Sequence, residues 1–242
     1  YSEETDQRAL ARQSVEHHLR KAQDRGELSL HFQPRVDAAT LRLVGAEALL
    51  RWDSVALGPV PPAEFIAIAE ETGLIKPLGA WVLEQACEAW VGWQALAAGD
   101  ETHPLYRRQI SVNISASQLA DPELVPFLQA LIARSGMCPQ CLELEITESQ
   151  LMDNAAAAQA QMAALKALGL QLSIDDFGTG YSSLAYLKRF DIDKLKVDRS
   201  FVDDMLSDPA DMAITRAVIA LGHTLGLRVV AEGVEDLATA NS

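Results

Sequence analysis

The chain has 242 residues, and its 49% hydrophobic content can fill the core of one large folded domain, which excludes a disordered protein. Its 34 acidic residues exceed its 20 Lys and Arg residues, and the resulting net charge of −14 makes the general surface repel nucleic-acid phosphates. We therefore expect no nucleic-acid polymer as a partner, and any anionic ligand must be held by metal ions or by a local basic group.

The expected location of the chain in the cell follows from the lack of a membrane span and of a signal peptide in the sequence. No stretch approaches the roughly 18 uninterrupted apolar residues of a membrane span, and no signal peptide opens the chain. We therefore predict a cytoplasmic domain. The chain begins with Tyr1 rather than Met, which indicates a piece of a longer polypeptide, and the full-length protein could be anchored in a membrane through upstream regions.

The first part of the chain predicts a helix followed by two strands. Residues 1–25 are expected to form a charged linker helix from an upstream domain, and residues 26–242 the main domain. Strands are predicted over residues 28–33 and 41–52. The first of them is expected to end at Pro34, because proline cannot donate a hydrogen bond to a sheet.

The rest of the chain alternates strands with helices. Strands are predicted over residues 109–114, 142–148, 170–174, 194–197 and 227–231, and helices over residues 62–73, 78–98, 123–134, 154–168, 182–189 and 209–225. This order indicates an α/β fold with a parallel sheet, which is either a (β/α) barrel or a doubly wound sheet.

Three cysteines suit a reducing compartment better than a disulfide framework, because their number is odd. Cys138 and Cys141 have the spacing of a redox or zinc pair. A redox pair should open a helix, whereas this pair precedes a strand, and no nearby Cys or His pair completes a zinc site. We interpret the two residues as thiols in a loop.

Acidic residues lie within and at the ends of several predicted strands. One strand runs directly into Asp175 and Asp176, and alternation along residues 142–148 places Glu143 and Glu145 on one face. Buried carboxylates cost several kcal/mol each unless a cation, a metal or hydrogen bonds compensate them. The pattern therefore predicts a partner of positive charge.

Structural roles are the alternative for each of these residues. Asp175 or Asp176 could cap the next helix, and Lys196 could form a structural ion pair. Asn113 could cap a turn. Glu47, inside an apolar run, could pair with Arg51 or with another base that the sequence does not identify.

Polar residues nevertheless recur near the carboxyl ends of successive strands, where a parallel barrel gathers its active site. They are Asn113, Glu145, Asp175, Asp176, Lys196 and Glu232. With Glu47 added, five acids and one lysine give a charge of −4, which two divalent cations would neutralise. Oxygen donors suit Mg²⁺ or Mn²⁺ rather than zinc. Because strand neighbours point to opposite sides, Asp175 and Asp176 could diverge to serve two metals about 4 Å apart.

Six segments in this order resemble the signature segments of the EAL-domain family, the cyclic-di-GMP phosphodiesterases. The segments are GAEALLRW around Glu47, SVNIS around Asn113, LELEITES around Glu145, IDDFGTGYSSL from Ile174, LKVDRSF around Lys196 and AEGVE around Glu232. The resemblance spans residues 28–235, which is most of the chain.

The resemblance implies a TIM-like (β/α) barrel with an antiparallel first strand pair. It also implies hydrolysis of one phosphodiester bond of cyclic di-GMP to linear 5'-pGpG, with two Mg²⁺ or Mn²⁺ ions. Glu47, Asn113, Glu145 and Asp175 would bind the first ion, and Asp175 would bridge to a second ion held by Asp176.

The same resemblance assigns the remaining roles. Lys196 would position the attacking water, and Glu232 would act as a base or through a water on the metal. Substrate-binding residues would be Gln33, Arg51, Asp198 and Glu235. Glu148 would steady the loop of residues 176–183, which is also associated with dimer contacts, so we expect a homodimer.

Two features depart from the family pattern. The family normally continues through a further helix and an eighth strand, whereas this sequence ends at Ser242, so we expect the barrel to lack its C-terminal strand and helix. Arg35 stands where the family usually has an apolar residue.

Two other functions are compatible with the residues. A catalytically silent cyclic-di-GMP receptor would pass a signal to an upstream domain, although such members usually lose metal ligands and none is lost here. A metal-dependent barrel lyase would use Lys196 to form a Schiff base with a carbonyl substrate.

Overall fold

One mixed β-sheet organises the chain. The computed structural model describes residues 2–153, 155–179, 187–236 and 239. In this part the strands are β1 (Leu28–Val36), β2 (Leu43–Ser54), β3 (Gly58–Val60), β4 (Gln109–Asn113), β5 (Leu142–Thr147), β6 (Gln171–Phe177), β7 (Lys194–Val197) and β8 (Arg228–Ala231).

Helices connect the parallel strands. They are α1 (Ser2–Leu19), α2 (Pro62–Thr72), α3 (Ile75–Ala97), α4 (Ala116–Leu119), α5 (Leu124–Ser135), α6 (Glu148–Asp153), α7 (Ala155–Ala167), α8 (Arg199–Asp203) and α9 (Pro209–Thr224), with one 3₁₀ turn at Pro139–Cys141. Most of the helix predicted over residues 182–189 lies outside the described residues. No helix in the described part is both long enough and apolar enough to span a bilayer.

The spatial order of the strands follows the sequence, β1-β2-β4-β5-β6-β7-β8, with β3 attached to β2. β1 is antiparallel to β2, and each neighbouring pair from β2 to β8 along that order is parallel. A doubly wound sheet would reverse its spatial order partway, so the TIM-like (β/α) fold with an antiparallel first strand is confirmed. The barrel is incomplete, because β1 and β8 are the two edges of the described sheet.

The predicted end of the first strand at Pro34 is wrong. β1 continues to Val36, with Pro34 opposite Ala46 of β2. In the described sheet β1 pairs with β2 alone, and proline is tolerated in an edge strand because its missing N–H can face away from the partner. The longer strand brings Arg35 into the sheet, opposite Gly45.

The strands are buried on both faces, as β5 illustrates. Its residues Leu142, Leu144 and Ile146 belong to the main apolar cluster, together with residues of α5 and α7. The alternate residues Glu143 and Glu145 are also buried, and they face the interior of the curled sheet. The predicted alternation is confirmed, and the interior face is therefore polar.

A second apolar cluster joins α1 to the side of the sheet. Val15 and Leu19 of α1 are buried with Trp52 of β2 and Phe65 of α2. The indole N–H of Trp52 donates to the carboxylate of Glu27 over 3.0 Å, which pairs a buried acid with a donor. The end of α1 thus packs against the sheet, while its role as a link from an upstream domain stays a prediction.

This packing predicts a clear difference between two leucines of α1. Leu19 is 3% exposed and Leu10 is 65% exposed. Leu19→Ala should lower the free energy of unfolding by about 2–4 kcal/mol, because it leaves a cavity against the second cluster. Leu10→Ala should change it by less than about 0.5 kcal/mol. Denaturant unfolding measures both, and equal effects would contradict the packing of α1.

Candidate active site

The candidate site is centred on the ammonium group of Lys196 in β7. This side chain is 1% exposed, and its Nζ lies 2.6 Å from Glu145, 3.0 Å from Asp175, 3.5 Å from Glu47 and 2.6 Å from Glu232. Four carboxylates from four strands or strand ends therefore share one cation. The convergence predicted for the carboxyl ends of the strands is present in the structure.

Strand register explains this convergence. Asn113 of β4 lies opposite Glu145 of β5, and Thr147 of β5 lies opposite Asp175 of β6. Residues at alternate positions of a strand share a face, so each of these side chains points to the interior of the sheet. Lys196 reaches them from β7, because it lies two residues after the inward-facing Lys194.

Glu47 is held by Asn113 rather than by Arg51. Asn113 Nδ2 donates to Glu47 Oε1 over 2.8 Å. The guanidinium of Arg51 instead donates to the carbonyl of Leu50 over 2.9 Å. A pair of Glu47 with Arg51 is therefore wrong, but a pair with another base is present, since Lys196 Nζ lies 3.5 Å from Glu47 Oε2. Asn113 faces the acidic cluster rather than merely capping a turn.

The two adjacent aspartates do not diverge, so the expectation drawn from strict strand alternation is wrong for this pair. Asp176 has φ 53°, in the left-handed region, and the register between β6 and β7 shifts between Ile174 and Phe177. One carboxylate oxygen each from Asp175, Asp176 and Glu232 lie within 4.8 Å of one another. The irregular backbone thus turns Asp176 toward the same point as Asp175.

The electrostatics show an excess of negative charge. Burial raises the pKa of the Glu145 carboxyl, Lys196 opposes this, and the charges of Glu47 and Asp175 add to it, so the pKa is about 8. Burial and the charge of Asp175 raise the pKa of Asp176 to about 6. Burial also raises the pKa of Glu232, although Lys196 opposes the shift. One ammonium group does not neutralise this set of acids.

Lys196 itself stays protonated. Burial lowers the pKa of its ammonium group, but the surrounding carboxylates, led by Glu145 and Asp175, outweigh burial and raise the pKa above the ordinary value. A Schiff base requires the neutral amine. The lyase alternative is therefore disfavoured by the surroundings of Lys196.

A second layer of charge lies beneath the site, and the sequence reasoning missed it. Glu143 is fully buried and pairs with Lys194 and, over 3.0 Å, with Arg35. The other guanidinium nitrogen of Arg35 lies 3.3 Å from Glu145. Burial raises the pKa of Glu143, but Arg35 and Lys194 outweigh it and bring the pKa to about 2. The alternation that places Glu143 on the same face as Glu145 was the one sequence feature that pointed to this second layer.

The remaining predicted residues lie around this centre. Gln33 is exposed and pairs in register with Glu47. Asp198 accepts the N–H of Ser200 over 2.9 Å at the start of α8, and Glu235 pairs with Arg199 over 2.9 Å. In this structure the partners of Asp198 and Glu235 are thus other groups of the protein.

Glu148 begins α6 directly after β5 and is 4% exposed. Its carboxylate accepts the N–H of Gly178 over 3.2 Å. Gly178 belongs to the loop of residues 176–183, of which residues 180–183 lie outside the described part. The contact therefore joins Glu148 to the described beginning of that loop.

The donor set fits a hard divalent cation. The group of Asp175, Asp176 and Glu232 offers carboxylate oxygens alone, and Mg²⁺ and Mn²⁺ prefer oxygen ligands. The raised pKa values of Asp176 and Glu232 indicate that further positive charge would be favourable there. Fold and site together define an α/β barrel protein with an acidic, lysine-centred site at the carboxyl ends of its strands.

A comparison with family models identifies the family. The model described as the EAL domain matches residues 16–242. The chain belongs to the EAL-domain family.

Named relatives support this membership. MucR of Pseudomonas aeruginosa, named a bifunctional diguanylate cyclase/cyclic di-GMP phosphodiesterase, is 45% identical over 219 residues, which are 90% of this chain and 31% of that protein. PdeR of Escherichia coli, named a cyclic di-GMP phosphodiesterase, is 38% identical over 239 residues, which are 97% of this chain and 34% of that protein. The chain spans about a third or less of the length of the curated relatives it matches.

A solved structure described as the PaMucR phosphodiesterase in complex with c-di-GMP has the same fold. The TM-score is 0.86 at 43% sequence identity, and the match covers 94% of this chain and 90% of that chain. The incomplete barrel described here therefore corresponds to nearly all of that domain.

The second charge layer leads to a stability prediction. Arg35→Met should lower the free energy of unfolding by about 3 kcal/mol, because it removes a buried cation from Glu143 and Glu145. Arg42→Met is the matched control, since Arg42 is exposed, and it should change stability by less than about 0.5 kcal/mol. Denaturant unfolding of both variants is the measurement. A loss for Arg35→Met no larger than the control would show that this layer is not stabilising.

Proposed function

We propose that this chain is a phosphodiesterase domain that hydrolyses one phosphodiester bond of cyclic di-GMP to linear 5'-pGpG. The observation that carries the proposal is the convergence of Glu47, Glu145, Asp175 and Glu232 on Lys196. Membership of the EAL-domain family, and the phosphodiesterase names of MucR and PdeR, support the choice of reaction and substrate.

The metal ions in this proposal are two Mg²⁺ or Mn²⁺ ions. Glu47, Asn113, Glu145 and Asp175 would hold one ion, and Asp176 would hold the second with Asp175 shared between them. When bound, such ions lower the pKa of water and neutralise charge that develops on phosphate oxygens. The excess negative charge at these carboxylates supports this assignment.

The protein groups position and activate the nucleophile. Lys196 Nζ would donate a hydrogen bond to the attacking water and hold its oxygen in line with the scissile bond. Glu232 would accept the proton of that water, and burial moves the pKa of its carboxyl upward, closer to the range useful for a base. A new P–O bond forms, the bond from phosphorus to the 3′ oxygen breaks, and the leaving oxygen takes up a proton.

Substrate recognition would use residues around the acidic centre. Arg51 would pair with a substrate phosphate, because its guanidinium can donate two parallel hydrogen bonds. Gln33, Asp198 and Glu235 would contact the nucleotide, and Glu148 would support the 176–183 loop through Gly178. The present contact of Glu235 with Arg199 would then rearrange or be shared.

The wider context is also part of the proposal. The domain would work in the cytoplasm, form a homodimer and receive a signal from an upstream domain through residues 1–25. The relatives' greater length supports the presence of further domains, since the chain covers 33% of the first one.

The central prediction concerns turnover. The chain should hydrolyse cyclic di-GMP with Mg²⁺ or Mn²⁺ and should stop when a chelator removes the ion. Lys196→Met should reduce kcat by about a thousandfold or more, because the water loses its positioning donor. The control is Lys188→Met, whose lysine is exposed. Formation of 5'-pGpG is followed by chromatography. Tight binding of cyclic di-GMP without product at any ion concentration would favour the receptor instead.

A separate prediction concerns the metal itself. Asp175→Asn should weaken Mn²⁺ binding by about tenfold or more, because it removes a charged oxygen ligand from the site. Asp191→Asn, at an exposed aspartate, should leave Mn²⁺ affinity unchanged. Titration calorimetry or the loss of the free Mn²⁺ resonance signal measures the affinity without substrate. If both variants bind Mn²⁺ as the unaltered chain does, Asp175 is not a metal ligand.

A further inference from the structure

Cys138 and Cys141 both contact Arg107, so they are more than two thiols in a loop. Arg107 Nη2 donates to Cys138 Sγ over 2.9 Å, and Cys141 Sγ donates to the carbonyl of Arg107 over 3.4 Å. When protonated, Cys138 Sγ also donates to Gln140 Oε1 over 3.0 Å. One arginine residue therefore contacts both thiols, the first through its charge and the second through its backbone.

Neighbouring contacts fix this arrangement. The N–H of Arg107 donates to Gln94 Oε1 over 2.9 Å. Gln109 Nε2 donates to the carbonyl of Gln140, between the two cysteines, over 3.1 Å. The segment before β4 and the turn before β5 are thus tied together, and the arginine is held beside the thiols.

The backbone brings the two cysteines close enough for a disulfide. Residues Pro139–Cys141 form one 3₁₀ turn, and the N–H of Cys141 donates to the carbonyl of Cys138 over 2.8 Å. A turn closed by such a bond keeps the Cα atoms of its first and last residues within about 7 Å. A disulfide needs a separation of about 4.4–6.8 Å. The pair precedes a strand, as the sequence indicated, but the turn itself brings the two cysteines within reach of each other.

The two thiols differ in a way that suits different roles. Burial raises the pKa of Cys138, but hydrogen bonds from Arg107 and Cys141 and the charge of Arg107 outweigh it, so the pKa lies below the ordinary value. Burial and the charge of Cys138 raise the pKa of Cys141 to about 11. Cys138 is half-buried, whereas Cys141 is 5% exposed. The more accessible thiol of the pair is thus also the more acidic one.

We propose that Cys138 and Cys141 are a redox-active dithiol, in which Cys138 reacts with a hydroperoxide and Cys141 converts the product into an intrachain disulfide. The pair lies at the amino ends of β4 and β5, away from the carboxyl ends that carry the acidic site. The inference goes beyond the proposed function and does not depend on it.

The chemistry balances in two steps. The Cys138 thiolate attacks one peroxide oxygen, an S–O bond forms and the O–O bond breaks, so sulfur is oxidised to a sulfenic acid while the leaving oxygen is reduced and protonated. The Cys141 sulfur then attacks the Cys138 sulfur, the S–S bond forms, and the hydroxyl departs as water with the Cys141 proton. Two thiols and one hydroperoxide thus give a disulfide, an alcohol and water.

A structural zinc site is the competing use of such a pair. Zinc needs four protein ligands in a structural site. In the part of the chain that the structure describes, neither thiol belongs to a group of three or more His, Cys, Asp or Glu ligands. The charged partner of Cys138 is instead a guanidinium, which activates a thiolate without binding a metal.

The first test measures thiol reactivity in the reduced full chain. Iodoacetamide labelling at neutral pH, followed by mass spectrometry of peptides, should show Cys138 labelled well before Cys141 and before Cys87. Cys87 is the internal control, because it is buried and burial raises its pKa to about 11. Arg107→Gln should slow labelling of Cys138 about fivefold. Arg108→Gln, whose guanidinium contacts the carbonyl of Pro104, should leave it unchanged.

The second test follows oxidation. One equivalent of hydrogen peroxide should remove two hydrogen atoms from the peptide that contains both cysteines, and dithiothreitol should restore them. Cys141→Ala should leave a sulfenic acid at Cys138 that dimedone traps. Cys138→Ala should leave Cys141 unreactive. Circular dichroism checks that each variant is folded.

Three results would overturn the proposal. They are equal labelling of Cys138 and Cys87, an Arg107→Gln rate identical to that of the unaltered chain, and oxidation that yields disulfides between molecules or a sulfinic acid instead of the intrachain bond. If a cysteine variant fails to fold, the labelling of the unaltered chain and of Arg107→Gln decides alone.

Discussion

One buried ammonium group holds the candidate site together. Lys196 is 1% exposed and contacts four carboxylates, so removal of its charge would leave Asp175 without this cation and Glu145 with Arg35 alone. An uncompensated buried charge costs several kcal/mol. The inward alternation of β5, the irregular end of β6 and the position of Glu232 after β8 all bring acids to this one group.

Two layers of charged side chains lie inside the sheet. The lower layer is Glu143 with Arg35 and Lys194, and the upper layer is the set of carboxylates around Lys196. Glu143 and Glu145 are two residues apart on one strand, and both are buried. The pKa of Glu143 is about 2, because two cations, Arg35 and Lys194, face one carboxylate. Burial raises the pKa of Glu145 to about 8, because Lys196 opposes the shift only in part and the charges of Glu47 and Asp175 add to it. One acid faces two cations in the lower layer, whereas four carboxylates share the one ammonium group of Lys196.

The sequence predicted the parts of this arrangement that depend on local pattern. Alternation along LELEIT placed Glu143 and Glu145 on one face, and strand order placed Asn113 and Asp175 at the ends of the two strands that flank β5. The partners of Glu143 could not be predicted, because Arg35 is 108 residues away along the chain and its strand was expected to stop at Pro34.

Local rules also failed where the backbone departs from regular structure. Strict alternation would send Asp176 away from Asp175, but its positive φ angle turns it back. The same holds at Pro139–Cys141, where a single 3₁₀ turn brings together two thiols that the sequence presented as loop residues. In both places a few backbone angles decide which side chains come into contact. The periodicity of hydrophobic and polar residues along the sequence does not reveal such local angles.

The imbalance in the upper layer links folding to ligand binding. The raised pKa values of Glu145 and Asp176 mean that their ionised forms are disfavoured in the folded chain. A divalent cation that binds the folded chain alone would stabilise it by mass action. If the proposed metal ligands are right, such a cation would compete with Lys196 for the same oxygens, because Asp175 Oδ2 and Glu145 Oε2 already accept from its Nζ. Beneath them, Glu143 has Arg35 and Lys194 as partners, so the charge of that buried acid is compensated without a bound metal ion.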